Sequence, residues 1–272
     1  MNTNMSDCIF TAKLGNIKAV LHLLKAVNFK ETATCFATEN GLKVTVEDAK
    51  CMQANAYIPA DIFQEFTLTE DVIFRINLNV LVECLSMYWS SIHSTGNSVV
   101  LQLIYKGHGF PVTVLINEDG IITDCSLKTQ EPDELLDFTF DTENVINKVV
   151  LQTELLKDVF AEMDPTSEVM ELLLSPDAPY FQITTAGVAG DCRIEIPHNS
   201  QLVDIFECTI RATSCYKLAH IKPAMKALSH ANKVSLRTDN CGLLCFQAMV
   251  KTEEGHVCYV EYYISPIVDS DE

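Results

Sequence analysis

Residues 129–144 read TQEPDELLDFTFDTEN, six carboxylates and no base, yet Leu135, Leu136, Phe138 and Phe140 stand among them. A purely solvated linker has no use for so many large apolar side chains, and a folded element rarely tolerates such unbalanced charge. The sequence on either side decides what this stretch is. Upstream, CIFTAKL (8–14) reads as a strand, and GNIKAVLHLLKAV (15–27) as a helix, with Ile17, Val20, Leu21, Leu24 and Val27 at helical spacing. TATCFATENGLKVTVEDA, CMQANAYI and EFTLTEDVIFRIN are rich in β-branched and aromatic residues and predict strands, with Asn40-Gly41 as a two-residue hairpin signal. LNVLVECLSMYW (78–89) returns to helical period. SVVLQLIYKG, FPVTVLINEDG and IITDCSLKT then predict three strands, with a turn at Glu118-Asp119-Gly120.

Downstream the same order recurs. NKVVLQ reads as a strand and TELLKDVFAEM (153–163) as a helix with Thr153 as its N-cap. EVMELLLS, YFQITTAG, GDCRIEIP and VDIFECT predict strands. HIKPAMKALSHAN (220–232) predicts a helix with Pro223 in its first turn, where the missing N–H costs nothing. KVSLRTDNCG, LLCFQAMVKTEEG and HVCYVEYYISP complete the set as strands. Like elements are offset by roughly 135 to 140 residues, which predicts an internal duplication of an α+β unit. The halves are 1–129 and 144–272, and the acidic stretch is their connector, 130–143.

The balance of 37 acidic against 19 basic residues, formal charge -18, disfavours phosphate polymers at long range. Eleven cysteines, an odd number set mostly in apolar runs, predict reduced, buried thiols of an intracellular protein. The N-terminal MNTNMSD has no basic patch and no apolar segment, so neither export nor a membrane span is expected.

Catalytic signals are weak. Cys241 and Cys245 bracket Gly-Leu-Leu with no histidine pair at zinc-ligand spacing, and Lys106-Gly107-His108-Gly109 reads as a turn, because no helix start follows it. Asp141-Thr142-Glu143 is a D-x-E of the kind a two-metal nuclease would use, in a segment already dense with acids. Solvated linker charge explains it better. Two helices carry a sharper signal. Lys18, His22 and Lys25 share one face of the first, opposite Ile17, Val20 and Leu24. Lys222, Lys226 and His230 form an i, i+4, i+8 row on the last, with Ile221, Met225 and Leu228 on its apolar face. Neither row contains an acid. The other two helices lack such rows, and Lys157 sits among Glu154, Asp158 and Glu162. A few lysine–phosphate contacts give weak, salt-sensitive, sequence-blind binding, and duplex backbone fits better than a single strand because no aromatics interleave.

CFATENGLKVTVEDAKCMQANAYI, IFQEF, INLNVLVECLSM, TQEPDELLDF, NVINKVVLQ, KVSLRTDN and VEYYISP resemble the Rad-one family of subunits of the heterotrimeric checkpoint clamp, the nine-one-one complex, related to proliferating cell nuclear antigen. The resemblance covers roughly residues 8 to 266. It implies a DNA-clamp fold of two duplicated halves, with helices lining the hole and antiparallel sheets outside, and a non-catalytic nuclear subunit that encircles double-stranded DNA and recruits checkpoint and repair proteins. The implied partners are Rad-nine-like and Hus-one-like subunits, a clamp loader, double-stranded DNA and client proteins; no cofactor and no membrane are implied.

By the same resemblance Lys18, His22, Lys25, Lys157, Lys222, Lys226 and His230 face DNA. Subunit contacts fall on the edge strands 121–128 (Ile121, Ile122, Cys125, Leu127) and 191–197 (Cys192, Ile194, Ile196). Glu47, Leu135, Leu136, Phe138, Tyr262, Tyr263 and Pro266 match the client-peptide pocket, where acidic Glu47 replaces a methionine of the replication clamp and implies an altered ligand preference. The alternatives are a 3′ to 5′ exonuclease built on Asp141 and Glu143, and an interaction module with no DNA role.

Overall fold

The computed structural model describes residues 8–88, 99–138, 140, 144–164, 166–188 and 190–268. They form two units. Unit 1 comprises the chain to Glu47, Asn55–Leu135 and Lys251–Cys258; unit 2 comprises Asp48–Ala54, Leu136–Val250 and the chain from Tyr259. The boundary cuts the acidic connector between Leu135 and Leu136.

The first run of elements is β1 (Phe10–Leu14), α1 (Lys18–Val27), β2 (Thr32–Thr38), β3 (Gly41–Asp48), β4 (Met52–Pro59), a 3-10 turn (Ala60–Ile62), β5 (Glu65–Leu68), β6 (Val72–Asn77), α2 (Leu78–Ser86), β7 (Val99–Tyr105), β8 (Val112–Glu118) and β9 (Ile121–Leu127). The second is β10 (Val145–Gln152), α3 (Thr153–Ala161), β11 (Val169–Leu174), β12 (Phe181–Gly187), β13 (Gly190–Ile196), β14 (Val203–Cys208), β15 (Ala212–Lys217), α4 (Leu218–Leu228), β16 (Lys233–Asp239), β17 (Leu244–Lys251) and β18 (Val257–Ile264). Strands of the first run lie in the orders β5-β1-β7-β8-β9 and β4-β3-β2-β6. Those of the second lie in the orders β14-β10-β16-β17-β18 and β13-β12-β11-β15. The two pairs of orders match strand for strand.

Alternation builds the core. On β1, Phe10, Ala12 and Leu14 point inward, and Val99, Leu101 and Leu103 of the paired β7 do the same. Each large side chain so buried contributes about 1.5–3 kcal/mol. In unit 1, α1 packs on α2 and buries Val20, Leu21, Leu23, Leu24 and Val27. In unit 2, α4 buries Ile221, Ala224, Ala227 and Leu228, and Tyr216 donates its hydroxyl to the Gly242 carbonyl at 2.6 Å.

Several local expectations shift. The hairpin turn is Glu39-Asn40, one residue earlier than predicted. Thr38 pairs with Gly41, which opens β3 at φ +133°, and a Cβ there would lie 2.2 Å from the Ile58 carbonyl oxygen. Close backbone approach, not turn chemistry, selects glycine. Asp119-Gly120 turns as expected, both residues at positive φ. EFTLTEDVIFRIN breaks into β5 and β6, which join different sheets. Thr153 is the first helical residue rather than the cap: its hydroxyl donates to the Ala231 carbonyl at 2.7 Å. Helix α4 starts two residues before the predicted helix, so Pro223 lies inside it and leaves the Ala219 carbonyl without its helical donor. Strand β15 has no counterpart in the hydrophobic pattern, because its positions are half-exposed or exposed apart from buried Tyr216. Of the eleven cysteines only Cys35, Cys245 and Cys258 are buried. Seven are half-exposed and Cys241 is exposed, since edge strands and turns carry many of them.

Candidate nucleic-acid interface, edge strands and connector cluster

The four helices present different faces. On α4 the outward positions include Lys222 and Lys226, both exposed, with no acid on the helix. Among the described residues neither lysine has an ion-pair partner. The periodicity that buries Ile221, Ala224 and Leu228 pushes these two outward. His230 lies beyond the helix C-terminus, its backbone N–H reaching the Ala227 carbonyl at 3.4 Å, so it extends the row as part of a turn. On α1 the row is only half-exposed: Lys18, His22 and Lys25 are each partly buried, and Lys18 Nζ sits 2.5 Å from Glu253 Oε1 in the same unit. A lysine so paired is less free to meet an anion than an unpaired one. On α3, half-buried Lys157 is flanked by exposed Glu154 and Asp158. Helix α2 exposes Asn79, Val80 and Glu83, as its lack of bases predicts.

Strands β9 and β13 are the outermost strands of their orders, held on one side by β8 and β12. Their exposure patterns are the same, from an exposed first residue to a buried seventh. Ile121 and Ile122 are 70% and 66% exposed. Cys125, Cys192 and Ile194 are half-exposed, while Leu127 and Ile196 are buried in their own units. The predicted edge residues therefore divide into an open group and an inward group that anchors the strand.

The connector is held at both ends. In unit 1, Gln130 and Arg75 exchange backbone hydrogen bonds at 2.8 and 3.3 Å, and the Arg75 guanidinium pairs with Asp133 and donates to Thr32 Oγ1. In unit 2, Gln53 Nε2 donates to the Leu136 carbonyl at 2.9 Å. Phe138 and Phe140, each 8% exposed, then pack with Tyr263 and Cys245. Below them Glu261, also 8% exposed, accepts from Gln247 at 2.6 Å and from Tyr263 at 2.8 Å, with Arg237 Nη2 at 3.5 Å. Arg237 lies 5.7 Å from the Phe140 ring centroid. Burial pushes the Cys245 thiol up to about 12 against the opposing pull of Arg237, so it stays protonated at neutral pH.

Of the residues assigned to the pocket by resemblance, the structure brings Phe138 and Tyr263 together. Leu136, shortly before Phe138 in sequence, is 37% exposed, and Leu135 is the last residue of unit 1. Tyr262 is fully buried, because neighbouring residues of a strand point to opposite faces. Pro266 lies by Gly242, with its Cγ 3.3 Å from where a Cβ would be. Glu47 is half-buried near the end of β3 in unit 1.

The sequence reading missed Arg237, Gln247 and Glu261. Their signal was visible: a carboxylate inside VCYVEYYI and an arginine inside KVSLRTD each interrupt a strand otherwise suited to a core. No sequence signal links Lys18 to Glu253. Asp141-Thr142-Glu143 lies outside the described residues, and among the described residues no three His, Cys, Asp or Glu side chains converge as a metal site.

Residues 9–250 match the family described as repair protein Rad1/Rec1/Rad17. The chain is 49% identical to the cell cycle checkpoint protein RAD1 of Homo sapiens over 94% of its own length and 90% of that protein. It is 48% identical to the protein of the same name from Mus musculus, over 94% and 91%. The DNA repair exonuclease REC1 of Mycosarcoma maydis is 26% identical over 58% of this chain and 41% of that protein.

Proposed function

This chain belongs to the Rad1/Rec1/Rad17 family of repair proteins, and we propose that it is a non-catalytic subunit of a heterotrimeric ring clamp that encircles double-stranded DNA in the DNA-damage checkpoint. The observation that carries this reading is the pair of outer strands. β9 and β13 have seven residues each, share one exposure pattern and stand at the open ends of their sheet orders. An open edge invites aggregation unless it is covered, and in a ring with head-to-tail contacts one subunit's edge meets another's. The matched strand orders support an internal duplication, which would give a clamp its repeated helices around the hole. The open lysines of α4 supply phosphate contact.

The ring partners are Rad-nine-like and Hus-one-like subunits, joined by a clamp loader, and the compartment is the nucleus. Client checkpoint and repair proteins dock near the connector, at exposed Leu136 and the Phe138–Tyr263 cluster. Co-expression with the two candidate partners tests the assembly: a one-to-one-to-one mass by native mass spectrometry is expected, and a chain that remains monomeric overturns it. Loader-dependent retention on linear duplex with blocked ends is expected of the trimer.

The name of the Mycosarcoma maydis relative favours a second reading, a magnesium-dependent 3′ to 5′ exonuclease. Highly purified chain with digestion that is lost in Asp141→Asn and Glu143→Gln would establish it; digestion that persists in both variants would sink it.

A further inference from the structure

Helix α2 and strand β9, both in unit 1, meet through two matched side-chain pairs. One turn beyond Cys84, Tyr88 donates its hydroxyl to Thr123 Oγ1 at 2.5 Å. The Cys84 and Cys125 thiols are neighbours across the same contact. The spacing on each side is that of facing elements. Residues 84 and 88 lie four apart along the helix, and the Tyr88 N–H reaches the Leu85 carbonyl, so the helical turn carries on past Ser86. Residues 123 and 125 lie two apart on β9 and share its inner face. Register against β8, with Ile116 opposite Thr123 and Val114 opposite Cys125, sets the height of both. The Tyr88–Thr123 bond therefore positions the two sulfurs as well as the two hydroxyls.

We propose that Cys84 and Cys125 form a redox-modification site, closed to an intramolecular disulfide by a peroxide. Both thiols are free and half-exposed, so a small oxidant reaches them. The buried thiols Cys35 and Cys245 are instead pushed up to about 12 by desolvation and are inert. Burial, and next the Cys125 neighbour, push Cys84 up to about 11, so the first attack is assigned to Cys125. Its sulfur displaces one oxygen of hydrogen peroxide; the O–O bond breaks, a sulfenic acid forms and one water leaves. The Cys84 sulfur then attacks that sulfur. The S–O bond breaks, the S–S bond forms, and the second water carries off the remaining thiol proton. Two electrons pass from the two thiols to the peroxide. The product ties α2 to the strand that carries exposed Ile121 and Ile122. The site is open to an oxidant in the chain with β9 uncovered.

The test uses the full chain, reduced, desalted and exposed to hydrogen peroxide, then alkylated and mapped by mass spectrometry without reductant. The expected result is a cross-linked peptide pair containing Cys84 and Cys125, loss of two of the eleven alkylatable thiols, and reversal by dithiothreitol. In Cys84→Ser the cross-link is lost and dimedone traps a sulfenic acid at Cys125; Cys125→Ser loses the cross-link and shows no such adduct at Cys84. Circular dichroism confirms that each variant is folded. Both thiols remaining alkylatable while exposed Cys241 is oxidised would overturn the proposal, as would sulfinic acid at Cys125 of the wild type without a cross-link.

Discussion

Tyr263 lies against Phe138 with ring centroids 6.5 Å apart and planes inclined by 21°, while its hydroxyl donates to buried Glu261. One tyrosine thus serves the connector with its ring and the network below with its oxygen. Tyr263→Phe should keep the stacking and lose about 1–2 kcal/mol, because Glu261 then lacks one donor. Phe138→Ala should cost about 2–4 kcal/mol and free the connector. Urea unfolding measures the first effect; faster amide exchange over residues 131–138 in the Phe138 variant, and not in Tyr263→Phe, separates the two.

Lys222 and Lys226 are open on an acid-free helix face, whereas Lys18 is engaged by Glu253. Reversing both α4 lysines to glutamate should weaken retention of the assembled ring on duplex DNA by about 10-fold or more and flatten its salt dependence. Stability should move by less than about 0.5 kcal/mol. Lys157→Glu should have a smaller effect. Lost trimer assembly with unchanged DNA retention would remove α4 from the DNA-facing surface.

Ile122 is exposed on the outer strand β9 and packs on little within its own unit. Ile122→Glu is expected to leave the melting curve of the isolated chain nearly unchanged and to lower trimer yield in size-exclusion chromatography. Leu127→Glu, on the buried end of the same strand, should unfold the chain instead, by about 3 kcal/mol or more.

Gly41→Ala meets both a strained φ and the Ile58 carbonyl oxygen. A loss of about 2 kcal/mol or more is expected in chemical denaturation. Gly255→Ala, with positive φ but open space around it, should cost about 1 kcal/mol.

His220 on α4 is held below its ordinary value by burial first and Lys217 next, with Asp48 opposing. The folded chain binds this proton less readily than the unfolded chain. The His220 contribution is therefore complete above the unfolded value of 6.5 and is lost as pH falls below it toward the depressed folded value. Urea midpoints compared at neutral pH and at mildly acidic pH should drop for the wild type and drop less for His220→Gln.

The order of strands and helices was legible in the chain because apolar periodicity and turn chemistry act within a few residues. Ile17 to Val27 and Asp119-Gly120 carry their meaning locally. The outward face of α4 was legible for the same reason. What the tertiary structure alone decided depends on neighbours distant in sequence. Lys18 finds Glu253, Arg75 grips Asp133, and Cys84 meets Cys125 only after strands and helices have packed. Strand β15 forms because β11 offers it an edge, and Pro223 is tolerated inside α4 because burial of Ile221, Ala224 and Leu228 outweighs one missing hydrogen bond. The acidic stretch combines both kinds of information. Its charge and its phenylalanines were plain in TQEPDELLDFTFDTEN, but which of them would be buried was set by Tyr263 and Cys245, since burial is a property of the surface a side chain meets.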